Sequence, residues 1–235
     1  MGSVGANRNS SSRPDEFNGL FGNRSTQGPI ERLTRVNEYN LINPNYGMGG
    51  AYRNNCALCS VAVALQARGY NVEAMPRDTT WRGLNSVFDI DYDNPDNFIA
   101  SGSKYNLSGV KSKEQIYLQS RTYTSRDQIP TAPKGAKQVA KAIEDKVKKW
   151  GNGSVGIVNV KWKEVNSAHT INVINQNGTV AFYDGQTNKV ITDLPKYLGR
   201  TIANHTNLVR VDNAPLKKDI KDLDKIVKRS NKFTD

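Results

Sequence analysis

Cys56 and Cys59 are the only thiols of the chain, three residues apart at the head of CALCSVAVALQAR, a segment patterned as a helix. Such a pair can cycle between dithiol and disulfide, supply half of a metal site, or act as one nucleophile beside a packing neighbour. A thioredoxin-type redox pair wants a preceding strand in a βαβ unit, whereas here a Gly/Asn loop, GMGGAYRNN, leads in. A zinc site would need both histidines, and His169 and His205 are 36 residues apart, unlike any compact zinc pattern; no metal is expected. The nucleophile reading places Cys56 in the first turn of the helix. There the dipole and the backbone N–H groups favour a thiolate and can hold an oxyanion. On residue type alone, the bland reading of either cysteine is a small buried hydrophobe.

A second group of chemically capable residues lies in HTINVINQNGTVAFYDGQ (169–186). Asn177-Gly178 is the strongest short hairpin signal in the chain. A two-residue loop there pairs Gln176 with Thr179, so the numbers of facing residues sum to 355. His169 then faces Gln186, and Asp184 lies on the diagonal from His169, roughly 7–8 Å away at the backbone. Alternation puts His169, Asp184 and Gln186 on one side with Ile171, Val173 and Phe182. A carboxylate beside an imidazole is the orienting pair of a nucleophilic triad, and Cys56 is the natural third member. His169 alone would read as a polar strand residue, so its registered partners carry the argument. Gln186 reads as a supporting donor or a plain strand-end polar residue, and His205, in NHTN, as a surface loop residue.

The elements that must position these groups follow from pattern. Residues 1–28 are rich in Gly, Ser and Asn and read as a linker; a short helix is expected near 30–36. The helix at 56–68 carries Leu58, Val61, Ala62 and Leu65 at helical spacing, with Asn54 or Asn55 as N-cap and Gly69 as stop. Residues 75–134 read as a long irregular excursion. A helix over 135–149 has a stripe of Val139, Ile143, Val147 and Trp150. Strands are expected at 154–162, 169–176, 179–186, 188–192 and 207–212. The tail 215–229 is patterned as a basic amphipathic helix with Leu216, Ile220, Leu223 and Val227 inward. Helix first and antiparallel sheet after it means α+β. The expected division is a flexible leader at 1–40, a catalytic domain at 41–212, and a C-terminal helix at 213–235.

Bulk properties narrow the class. The 235 residues are 37% hydrophobic with a mean hydropathy of -0.64, enough for one substantial core. No apolar run approaches the ~20 residues of a membrane span. The start of the chain lacks the apolar region of a secretory signal and the Ser or Thr of a myristoylation signal. Two cysteines are too few for a disulfide-stapled secreted domain. The net charge is +11, with lysines concentrated at 134–150 and 216–232. That balance favours acidic partners, although solvated helix faces are its plainest reading. Nothing matches an RRM, zinc finger or homeodomain, so no specific nucleic-acid partner is expected.

NNCALCSVAVALQARGYNVEAMP resembles the NC-x-x-C … RGY-x-V-x-A block of papain-fold toxin domains, and AHTINVINQNGTVAFYDGQ resembles their H-x-x-N … G-x-V-x-x-x-D-x-Q block. These domains form a papain-like branch that includes glutamine deamidases and occurs in polymorphic toxins and phage-associated proteins. The resemblance implies a papain-like fold, with a helix bearing the nucleophile packed on an antiparallel sheet bearing His and Asp. It implies Cys56 as nucleophile, His169 as general base, Asp184 as its orienting acid, and Gln186, with Asn55, in support. Cys59 is the alternative nucleophile, because papain itself uses the second cysteine of its C-x-x-C stretch. The implied activity is deamidation of a protein glutamine without a cofactor, by a delivered toxin or effector acting in the cytoplasm of a target cell. An immunity protein is a possible second partner. Two alternatives stand beside it: a cysteine peptidase or isopeptidase with the same triad, and a non-catalytic basic binding module.

Overall fold

A computed structural model describes residues 42–78, 84–91, 98–100, 135–202, 205–220 and 222–230. The expected leader, the helix near 30–36 and most of the 75–134 excursion lie outside these residues.

Helix α1 (Cys56–Ala67) begins at Cys56 and is followed by strand β1 (Val72–Ala74). After β2 (Phe98–Ala100) and helix α2 (Ala136–Trp150) come β3 (Val155–Lys161), β4 (Ala168–Gln176), β5 (Thr179–Asp184) and β6 (Lys189–Ile191). A short helix α3 (Leu194–Gly199), β7 (Asn207–Arg210) and β8 (Val227–Arg229) complete the chain. The main sheet runs β2-β7-β3-β4-β5-β6, and every pairing in it is antiparallel. Helices thus pack on an antiparallel sheet, the expected α+β class.

Both faces of the sheet are covered. Alternation sends Val155, Ile157, Ile174, Tyr183 and Val209 into a core with α1, and Val158, Val160, Ile171, Val173, Phe182 and Leu208 into a second core with α2 and α3. Helix α2 shows the expected stripe, burying Val139, Ala140, Ile143 and Val147 and exposing its lysines. Helix α1 differs, with every residue from Leu58 to Gln66 buried. It is walled by the sheet on one side and by β1 and the tail on the other, so it reads apolar nearly all round.

The hairpin register matches the calculation from the Asn-Gly turn: Gln176 pairs with Thr179, Val173 with Phe182 and Asn172 with Tyr183. Asn177 and Gly178 both take positive φ, as a type I′ turn demands.

Two local expectations are corrected. Among the described residues of the tail there is no amphipathic α-helix, and they pack with the rest of the fold. Leu216 bridges Phe88, a 3-10 turn spans Leu223–Lys225, and β8 pairs antiparallel with β1. The expected inward positions do face the core, with Leu216 and Val227 buried and Ile220 and Leu223 packed against it. An extended path wins because β1 offers an unpaired edge, because Asp222 sits at a φ of 56° that breaks a helix, and because Glu73 of β1 ion-pairs with Lys228 at 2.8 Å. The second correction is α3, which lies between the strands expected at 188–192 and 207–212, where no element was expected. Its signal was present: Asp193 accepts from the Lys196 N–H at 2.9 Å, and Pro195 stands in the first turn.

Gly185 is the close approach that lets α1 lie against the end of β5. A Cβ there would stand 2.8 Å from Val63 Cγ2, 3.1 Å from Ile42 Cγ2 and 3.3 Å from the Cys59 carbonyl oxygen. Gly185→Ala is therefore expected to destabilise the fold by about 1–3 kcal/mol through overpacking, read as a lowered midpoint in chemical denaturation. Adding Val63→Ala should restore part of that loss; equal midpoints for wild type and Gly185→Ala would show that the contact is soft.

Candidate active site

Helix α1 is seated on β4 by polar contacts inside the core. The Ser60 hydroxyl bonds the Thr170 hydroxyl at 2.9 Å, and the Asn172 amide donates to the Ser60 carbonyl at 3.0 Å. One turn back along the helix, ~5.4 Å, is Cys56. One step back along β4 is His169. These contacts bring the start of the helix toward the start of β4.

There the structure assembles three of the sequence-derived candidates. His169 Nε2 lies 3.1 Å from Asp184 Oδ1. Cys56 stands beside the same imidazole, near enough to help raise its pKa. Asp184 Oδ1 also accepts the backbone N–H groups of Gln186 at 3.0 Å and Thr187 at 3.4 Å, which hold the carboxylate in place. His169 and Asp184 are both buried, at 7% exposure each, while Cys56 is half-exposed.

Burial alone would depress the His169 pKa. Hydrogen bonds to Asp184 and Cys56, and the negative charge those groups carry, overcome it and raise the value to about 10. Burial likewise opposes ionisation of Asp184, yet its bond to His169 and the imidazolium charge bring its pKa below the usual carboxylate value. The two shifts describe one arrangement, an imidazolium held against a carboxylate with Cys56 beside it.

Cys59 has a different environment. It is fully buried, and burial followed by the charges of Cys56 and Asp184 pushes its thiol well above the ordinary value. A thiol kept neutral inside the core is a poor nucleophile. His205 lies apart in the segment before β7, its pKa lowered by partial burial and by Lys161. Among the described residues, no group of three His, Cys, Asp or Glu side chains is placed to hold a metal ion.

Asn55 occupies the N-cap position of α1, but its side chain does not cap the helix. Its amide nitrogen donates to the Met75 carbonyl at 2.9 Å and to Asn43 Oδ1 at 3.4 Å, which occupies both of its hydrogens. Gln186 is buried, and its backbone rather than its side chain makes the visible links, through N–H to Asp184 and through its carbonyl to Asn43.

Asn43, which pattern reading did not single out, is the hub. Fully buried, it donates from Nδ2 to the Tyr52 carbonyl at 2.9 Å, the Gln186 carbonyl at 2.9 Å and Asn55 Oδ1 at 3.3 Å. Its backbone N–H donates to Asn188 Oδ1 and its carbonyl accepts from Asn188 Nδ2, both at 3.1 Å. One amide thus ties the residue before Cys56 to the residues after Asp184. No local signal marks an Asn in NLINPN as such a joint, since two of its partners, Gln186 and Asn188, are more than 140 residues away.

Over the histidine lies Trp162, stacked on the His169 ring at 5.8 Å between centroids and 26° between planes. Arg200 covers another part of the indole at 5.1 Å, and Tyr197 of α3 meets it edge-on at 5.5 Å. This wall keeps water from the imidazole–carboxylate bond and strengthens it.

A family model described as papain fold toxin 1, glutamine deamidase, matches residues 54–189 and so contains Cys56, His169, Asp184 and Gln186. Searches of curated proteins and of solved structures found no match.

Two expected outcomes follow from this geometry. Asn43→Ala leaves buried carbonyl and amide oxygens without a donor and should lower unfolding free energy by about 2–3 kcal/mol; unchanged stability in a urea titration would remove Asn43 from the hub. The ion pair also makes stability depend on pH. A raised His169 pKa stabilises fully below its unfolded value of 6.5 and is lost as pH climbs to about 10. A lowered Asp184 pKa stabilises above 3.8 and is lost as pH falls through the folded value. The stability gap between wild type and His169→Gln should therefore be widest between about pH 4 and 6.5 and shrink on either side. A gap independent of pH in thermal unfolding would mean that the pair is not charged.

Proposed function

Because the chain belongs to the papain fold toxin 1, glutamine deamidase family, we propose that it hydrolyses the side-chain amide of a glutamine in a target protein, with Cys56, His169 and Asp184 as its triad. The observation that carries this reading is the 3.1 Å contact of His169 Nε2 with Asp184 Oδ1, with the thiol of Cys56, at the N-terminus of α1, beside the same imidazole.

Each residue has a role its environment supports. Cys56, at the positive end of the α1 dipole and beside an imidazolium, attacks as thiolate. The carbon–sulfur bond forms, and the amide oxygen takes the negative charge next to the first N–H groups of the helix. His169 then gives its proton to the amide nitrogen, the carbon–nitrogen bond breaks, and ammonia leaves a thioester. Neutral His169 next takes a proton from water as the water oxygen attacks the thioester carbon. The carbon–sulfur bond breaks, restoring the thiolate and releasing glutamate. Asp184 fixes the imidazole and stabilises its charged form in both halves. Cys59, sealed and neutral, packs beneath the nucleophile. Asn55 and Gln186 act as orienting residues through their links to Asn43. In keeping with the family's toxin character, the substrate is a protein of a target cell, reached after delivery into its cytoplasm. An immunity protein covering the half-exposed Cys56 would silence the site.

The test is Gln-to-Glu conversion. Wild-type protein incubated with a lysate of susceptible cells should convert particular glutamines to glutamate, seen by peptide mass spectrometry with release of ammonia and no new chain termini. Cys56→Ser should lower the rate by at least ~10³-fold while leaving the unfolding curve in place, and Cys59→Ser should retain most of it. New termini that depend on Cys56 would make the protein a peptidase. Full activity in Cys56→Ser would end the triad reading.

A further inference from the structure

The wall beside His169 is strongly basic. Lys161 and Lys163 flank Trp162 at the end of β3, and Lys196 and Arg200 lie a turn apart at α3. Backbone bonds knit the two segments, with the Lys163 N–H donating to the Arg200 carbonyl at 3.0 Å and the Ile202 N–H to the Lys161 carbonyl at 2.8 Å. Lys163 Nζ reaches the Gly199 carbonyl at 2.6 Å, and Arg200 is held over Trp162, whose ring stacks on His169. Lys163, Lys196 and Arg200 are exposed. The acids in these segments are Glu164 and Asp193, the second also capping α3, so the four cations outnumber them.

We propose that this rim, formed by Lys163, Lys196 and Arg200 around Trp162, is the docking surface for an acidic stretch of the substrate protein flanking its target glutamine. The inference rests on the deamidase reading for its occupant and deepens it. Fixed cations beside a half-exposed nucleophile hold an anionic segment with its side chains toward the site. Nucleic acid fits less well, because the indole that would stack a base is already covered by His169 and Arg200. A membrane surface fits less well too. The exposed large hydrophobic residues among those described are Met48 and Val165, too few for an inserting face.

The experiment uses protection of Cys56 from iodoacetamide, which needs no turnover. The probe is a short peptide with glutamates on both sides of one glutamine, compared with the same peptide carrying serines. The acidic peptide should slow alkylation at concentrations about tenfold below the serine peptide, and added salt should narrow the difference. Lys163→Glu with Lys196→Glu, which leaves the Trp162 stack intact, should remove the preference without changing the peptide-free alkylation rate. Reversing Lys137, Lys148 and Lys149, exposed on α2, should leave the preference in place. Equal protection by both peptides, or equal loss in the two charge-reversed proteins, would overturn the assignment. Stronger protection by single-stranded RNA or anionic vesicles than by the acidic peptide would overturn it in favour of those partners. Absence of ammonia release from every glutamine substrate, with peptide protection intact, would instead retire the deamidase reading and leave the surface standing.

Discussion

The seating of α1 against the ends of β4 and β5 is the constraint on which the rest depends. A thiol at a helix start becomes chemically useful only when an imidazole stands beside it, and here the two come from segments more than a hundred residues apart in the chain. Three features of the packing set their distance. Ser60 and Thr170 register the helix along the strand, Gly185 lets the helix backbone come close, and Asn43 ties the turn before the helix to the turn after β5. All are buried, so a shift of α1 would leave polar groups unsatisfied or atoms overlapping, and either penalty is steep in a close-packed interior. Position at the site is thereby bound to the stability of the core.

The same burial explains the electrostatics. An imidazole placed in the core by itself would lose its charge, and a carboxylate placed there by itself would gain a proton. Together each favours the ionised form of the other, and Cys56 adds to the pull on His169, so His169 moves up and Asp184 moves down although desolvation pushes both the opposite way. Cys59 shows the outcome without such a partner, since it lies one turn deeper and stays protonated. The difference between two cysteines of the same motif is thus one of depth. Residue type and spacing left both open as nucleophile, and depth along a buried helix is not visible in a four-residue pattern.

What pattern could reach follows the range of the interactions involved. The β4–β5 register was legible because an Asn-Gly turn fixes it locally, and the pairs from Gln176–Thr179 to Asn172–Tyr183 follow by counting. The expected pairing of His169 with Gln186 does not form, because β5 ends at Asp184 and the chain turns there. Helix α2 was legible because one face alone is buried. The tail was misread because its apolar spacing fits a helix and an edge strand alike, and the deciding partner, β1, lies some 150 residues away. The Asn43 hub was missed for the same reason, as its acceptors are mostly backbone carbonyls, which carry no sequence signature. Asn55 marks the boundary between the two cases. Its identity suggests a helix cap, and it does stand at the cap position, yet tertiary partners claimed its amide.

The basic wall extends this logic from the fold to recognition. Trp162 shields the imidazole from one side, and shielding requires that something hold the indole flat. Arg200 and Tyr197 do so, and both are delivered by α3, with Lys196 between the cap at Asp193 and the end of the helix. The elements that protect the ion pair from water are therefore the ones that place cations at the mouth of the site. Stability of the buried pair and attraction of an anionic segment thus draw on the same short helix, the first through Tyr197 and Arg200 against the indole, the second through the exposed Lys196 and Arg200.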